Sequence, residues 1–340
     1  MPDSYRRRAV DYLLSGTSVQ SNPHLARFAS APYLDWLCSQ DAFQPMLNRS
    51  SKQLRKEIIE SYAVLEALEA SLGRSVSQHT FIDLCAGKGF LSVVLALEFP
   101  SAFVLQVDNN PRIKTEHIAA LANLRYLHAD IMDTSFATML SQELDAIHSK
   151  APPSTRPRYV AMGIHLCGPL SPRAIELFGA LDSIEALILV PCCLDRRTDG
   201  PVKAKAKILG LDPYEVKVQQ LHSLLVEHTE HVHVFRDLAM RTQSGEQHHA
   251  GAKNAIMLAR RHVSLVGKLM QACKGLVHGH NKGAQCTIGL EVTGGPLLLR
   301  RACCRYLLPV VAAAMIVVVK GMAMRRLALT SSPTIHGYKK

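Results

Sequence analysis

Five short apolar runs, each followed by a more polar connecting stretch, set the tightest limit on what this chain can fold into. They lie at 80–84, 103–107, 124–128, 159–165 and 186–190. Segments of helical character lie between them, including 91–98 and 172–181, where apolar residues return at helical spacing. Short strands alternating with helices predict a mostly parallel sheet clothed by helices on both faces. Two further runs, 231–239 and 254–259, have no helix between them. Their polar connection holds Gly245 and Gly251 and reads as a hairpin loop, so the sheet is expected to end on an antiparallel strand.

Ahead of the first strand, Ser50 and Ser51 precede a long helical pattern over 52–72. Its apolar residues Ile58, Ile59, Tyr62, Leu65 and Leu68 fall three and four apart, and Gly73 ends it. A short amphipathic helix is expected over 33–38. The expected fold is α/β: a Rossmann-like, doubly wound, mostly parallel seven-stranded sheet with a C-terminal antiparallel strand. A helical N-terminal extension (1–53) and a basic tail (262–340) flank the domain at 54–261.

Composition matters mainly through where the charge sits. The net charge of +11 resembles a nucleic-acid signal. Yet residues 1–260 hold 27 Lys+Arg and 27 Asp+Glu, so the excess lies wholly in the tail, whose only acid is Glu291. Hydrophobic residues make up 48% and support a sizeable core. The nine cysteines do not form a spaced framework, and residues 1–8 lack the apolar core of a secretory signal. A reducing, cytoplasmic setting with unbridged cysteines is expected. The uncharged run at 307–319 is shorter than the roughly twenty residues of a spanning helix, and extension to Met324 gives a marginal one with basic flanks. The alternatives for this run are a buried helix or a poorly folding segment.

The chemistry begins at Asp83-Leu-Cys85-Ala86-Gly87-Lys88-Gly89, between an apolar strand and an apolar helix. Glycines there let the backbone turn tightly and approach a ligand. Ser92 stands where a dinucleotide fingerprint needs its third glycine, and Asp83 would repel a pyrophosphate. The same acid suits the charged amino group of a methionine moiety. Asp108 ends the second strand, placed for ribose hydroxyls, with Asn109 beside it; Asp130 follows the third strand, placed for an adenine amine. Asp83, Cys85, Ala86, Gly87, Gly89, Asp108, Asn109 and Asp130 are the candidate cofactor site, and S-adenosylmethionine the expected cofactor. A nicotinamide cofactor on Gly87, Gly89 and Asp108 is the reading outside this class.

Two more segments, Gly163-Ile-His165-Leu-Cys167-Gly168 and Leu189-Val-Pro-Cys192-Cys193-Leu194, complete a pattern. An acid-x-x-x-G-K-G loop, H-x-C-G after the fourth strand and Cys-Cys after the fifth resemble one class I methyltransferase family. That family includes the eukaryotic tRNA 2′-O-methyltransferase of the acceptor stem. The resemblance covers about 50–260 and implies RNA as the methyl acceptor. A small molecule or a protein is the alternative. The tRNA enzymes carry a Cys- and His-rich run where this chain has Cys192 to Arg197, and zinc-finger-type segments ahead of the domain that are not found here.

His165, Cys192 and Cys193 are the candidate catalytic residues, and four roles stay open. His165 suits a general base near neutral pH. Cys192 or Cys193 suits a nucleophile. Cys167, the cysteine pair and His165 could ligate a metal, although none is expected. Small buried cysteines and a hydrogen-bonded His could simply shape the pocket. Lys88, Arg196 and Arg197 read first as solvated charge and second as contacts to an acidic substrate. His228, His231 and His233 read as surface histidines near an edge strand, and Lys203, Lys205 and Lys207 as a solvated face.

Overall fold

The computed structural model describes residues 8–14, 19, 21–149, 158–191, 194, 199–240 and 254–261, with two short strands at 289–292 and 295–298. The chain divides into two compact units, Met1–His262 and Val263–Lys340. In the second, β8 (Gly289–Val292) pairs antiparallel with β9 (Gly295–Leu298). Cys192, Cys193, Arg196, Arg197, His248, His249, the glycines of the hairpin loop and the run at 307–319 lie outside the described residues.

The first unit is built on a seven-stranded sheet in the order β3-β2-β1-β4-β5-β7-β6. Its strands are β1 (Thr80–Leu84), β2 (Phe103–Asp108), β3 (Leu124–His128), β4 (Tyr159–Ile164), β5 (Ile184–Val190), β6 (His231–Arg236) and β7 (Ala255–Arg260). β1 to β5 run parallel, and β7 lies antiparallel between β5 and β6. The doubly wound sheet expected from the sequence is therefore present. β7 fills an interior place and leaves β6 at the edge, where His231 and His233 are exposed.

Strand alternation sorts the core into two layers. Phe81, Val104, Val160, Ile188 and Ile256 face one cluster, and their neighbours Ile82, Leu105, Ala161, Leu187 and Met257 face the other. The central strands read as unbroken apolar runs because both faces are covered. One cover is α8 (Phe136–His148), α9 (Leu170–Ala180) and α11 (Pro213–Val226). The other is α5 (Ser51–Leu72) and α6 (Phe90–Glu98). Ser50 caps α5 by accepting from the Gln53 N–H, and Gly73 ends it at φ +55°.

The N-terminal helices join this second cover. They are α1 (Arg8–Leu14), α2 (Pro23–Ala29), α3 (Leu34–Ser39) and α4 (Gln44–Leu47). Leu25, Phe28, Leu37, Phe43 and Leu47 are fully buried in the same cluster as α5. Asn22 caps α2 through the His24 and Leu25 N–H groups. Buried His24 meets Asp237 at 2.7 Å, beyond β6. His24→Ala should cost about 2–4 kcal/mol in a urea denaturation, since it leaves a half-buried carboxylate without its ring partner. A loss below 0.5 kcal/mol would show that apolar packing alone holds α2.

The remaining helices are α7 (Glu116–Ala119) and α10 (Gly200–Leu209). Lys205 and Lys207 are exposed on α10, as a solvated face requires, while Lys203 is half-buried. Cys85 is a free thiol. Among the described residues no helix is long and apolar enough to cross a membrane.

Candidate active site

The carboxyl ends of β1 and β4 open beside the middle of α5, and a cavity of about 320 Å³ lies between them. The glycine loop forms one wall with Asp83, Cys85, Ala86, Gly87 and Lys88; α5 adds Glu57, Glu60 and Ser61, and β4 ends there at Ile164 and His165. Among the described residues, two non-glycines have positive φ: Cys85 at +54° and His165 at +67°. Both line this cavity. Left-handed backbone on a residue with a Cβ costs on the order of 1–3 kcal/mol, and such strain concentrates at functional sites. β4 stops at Ile164, one residue short of the expected run, because the chain turns at His165.

The loop is held from below. Asp108 Oδ2 accepts the Gly87 N–H at 2.8 Å, and Oδ1 accepts that of Asn110 at 2.9 Å. Buried Gln106, on β2, donates to the Gly87 carbonyl at 3.1 Å and meets His117 at 3.3 Å. Gly89 caps α6 at φ +75°, and a Cβ there would stand 2.1 Å from Gln106 Oε1. Gly89→Ala combines left-handed strain with displacement of a buried, bonded amide. It should lower unfolding free energy by about 2–4 kcal/mol in chemical denaturation. Gly87 is different: a Cβ on it would meet nothing within 4 Å, so its φ of +57° shapes the turn and leaves the cavity open.

Asp83 lies at the cavity floor, 2% exposed, and accepts a 2.6 Å hydrogen bond from Ser92 Oγ. Burial pushes its carboxyl up to about 7, aided by the nearby charges of Glu57 and Asp108 and opposed by Ser92. Burial also pushes the Cys85 thiol up to about 12, with Asp108, Asp83 and Asp130 adding to the shift. That thiol stays protonated at neutral pH and is a poor nucleophile. Lys88 Nζ donates to the Pro45 carbonyl at 3.1 Å, and desolvation followed by Arg49 lowers its pKa.

Asp108 ends β2, Asn109 follows it and Asp130 lies two residues past β3; none of the three lines the cavity, and Asp108 reaches it only through its bond to the Gly87 N–H. Asp130 is exposed; Oδ2 accepts from the Asn109 amide at 3.0 Å and Oδ1 from the Met132 N–H at 2.9 Å. Each oxygen of Asp108 and Asp130 keeps a further lone pair for a ligand. Among the described residues no group of three or more His, Cys, Asp and Glu is placed to hold a metal ion.

His165 Nε2 lies 2.7 Å from Glu60 Oε2. Sequence reasoning missed Glu60, Glu57, Arg49 and Gln106. Gln106 carried a signal, being the one amide inside the apolar run Phe103-Val-Leu-Gln-Val-Asp108. Glu60 carried none: an acid inside a long helix reads as solvated until the helix is known to be buried on every side over 58–65.

Residues 53–197 match the model of a family described as a methyltransferase domain. Similar solved structures include the plantazolicin methyltransferase BpumL in complex with SAH, at 12% identity and TM-score 0.36, covering 73% of this chain and 97% of that one. Human N-acetylserotonin methyltransferase in complex with SAM gives 14% identity and TM-score 0.34, covering 76% and 67%. An O-methyltransferase family protein from Burkholderia thailandensis gives 14% and 0.34, covering 70% and 71%. No curated protein sequence matches the chain. Over residues 53–197 the chain is similar to a methyltransferase domain.

Proposed function

We propose that this S-adenosylmethionine-dependent domain methylates an RNA hydroxyl, with His165 as the general base. The observation that carries the reading is the placing of His165. It is held in left-handed backbone on the cavity wall, against a buried carboxylate and facing the glycine loop. The residues present fit the cofactor. Asp83 offers a carboxylate to its ammonium group, Gly87 leaves the cavity open, and Asp108 and Asp130 keep acceptor capacity for ribose and adenine. The bound cofactor supplies an electrophilic methyl group on a sulfonium.

His165 takes the proton of the acceptor hydroxyl at a ring nitrogen. Loss of that proton makes the hydroxyl oxygen the stronger nucleophile that the cofactor, when bound, would methylate. A hydroxyl is a weak nucleophile at neutral pH, so a base in this position is worth typically 10²–10⁴ in rate. RNA is supported by the resemblance of the H-x-C-G and Cys-Cys segments and by the basic tail, with 11 Lys+Arg against one acid. The neutral charge of residues 1–260 favours a second reading, a protein or small-molecule acceptor.

Calorimetry with S-adenosylmethionine, S-adenosylhomocysteine and NAD tests the cofactor; binding of NAD alone would reject it. Transfer of labelled methyl into fractionated cell extract tests the acceptor. Label that ribonuclease removes is the expected result, and label confined to protein would exclude RNA.

A further inference from the structure

We infer that Glu60 is the positioning residue for His165, fixing which ring nitrogen carries the proton; this rests on the reading of His165 as base. Glu60 comes from α5 and His165 from the turn after β4, 105 residues apart in sequence. The Glu60 side chain is 9% exposed, whereas the His165 side chain keeps 31% of its surface open. Its two oxygens are divided: Oε2 faces His165 Nε2 at 2.7 Å, and Oε1 faces Lys56 Nζ at 3.8 Å. An ionised carboxylate only accepts, so Nε2 must carry the proton and donate it. Nδ1 is then the bare nitrogen. It has no hydrogen-bond partner among the described residues, and the ring lines the cavity.

The arrangement therefore does more than pin α5 to the sheet. It selects the tautomer whose lone pair lies on Nδ1, and it places a negative charge where an imidazolium forms when that nitrogen takes a proton. The strained turn at His165 has a use in this scheme, since it brings the ring to a carboxylate on a different element.

The test is ¹⁵N–¹H correlation of the imidazole nitrogens in protein saturated with S-adenosylhomocysteine at alkaline pH, with His165→Asn assigning the signal. The wild type should show a single tautomer, protonated at Nε2 and bare at Nδ1. Glu60→Leu should turn this into a mixture of the two tautomers. A proton on Nδ1 in the wild type, or an unchanged tautomer in Glu60→Leu, would overturn the inference. If that variant fails to fold, Glu60→Gln replaces it. Its amide oxygen still accepts, but without charge, so the Nε2 proton resonance should move upfield by about 1 ppm or more; an unmoved resonance again overturns the inference. The base reading fails by a separate sign: His165→Asn that still transfers labelled methyl to extract at the wild-type rate.

Discussion

Asp83→Asn should weaken binding of S-adenosylmethionine at least 100-fold and yet stabilise the folded protein at pH 8. Both effects follow from one buried carboxyl. Its pKa in the fold, pushed up to about 7 by burial, stands above its ordinary value of 3.8. Between those values the unfolded chain has already released the proton that the fold retains, so stability falls as pH rises through that window. Above pH 7 the penalty is complete, on the order of 4 kcal/mol at about 1.4 kcal/mol per unit. Asparagine removes it and keeps an acceptor for Ser92. Denaturation should therefore show the variant gaining stability at pH 8 and little near pH 4. The cofactor reverses the balance, because its ammonium needs the ionised form. Wild-type affinity should rise from pH 6 to 8 and level off, with proton release on binding visible by calorimetry in buffers of different ionisation enthalpy. Equal affinity of variant and wild type would show that the ammonium lies elsewhere.

The same residue shows how far the sequence could be read. An acid at the end of an apolar run, before glycines, was legible as part of a site, because strand periodicity fixes where a run ends and which side its last residue faces. The sheet and its antiparallel member were legible for that reason too, since a polar link without a helix cannot return a parallel strand. What could not be read was everything contributed from a distance. Glu60 and Glu57 reach the cavity from α5, and nothing in a local pattern says which face of a wholly buried helix meets a strand tip 105 residues later. The packing of α2 to α4 into the main core was hidden likewise, although α3 itself was expected, because a short amphipathic stretch does not say which surface it covers. His165 was read as the end of the strand, whereas its backbone is left-handed at φ +67°.

His165→Asn should lower methyl transfer by 10²–10⁴, about 3–5.5 kcal/mol of barrier, and leave cofactor affinity unchanged. Asparagine is the informative replacement, because it tolerates left-handed backbone better than other residues with a Cβ. The turn at φ +67° therefore survives, and a lost rate reports the missing base rather than a collapsed wall. Calorimetry checks the wall directly: affinity for S-adenosylhomocysteine should match the wild type, since the turn keeps its backbone. Cys192→Ser and Cys193→Ser give the contrast. If a cysteine attacks the acceptor, one of them should abolish transfer and trap no covalent adduct, whereas His165→Asn should accumulate less adduct than wild type. If His165 is the base for a hydroxyl, both serine variants should stay within tenfold of wild type, because no step then passes through sulfur on the enzyme. Full activity of His165→Asn beside a dead cysteine variant would move the chemistry from the turn after β4 to the segment after β5.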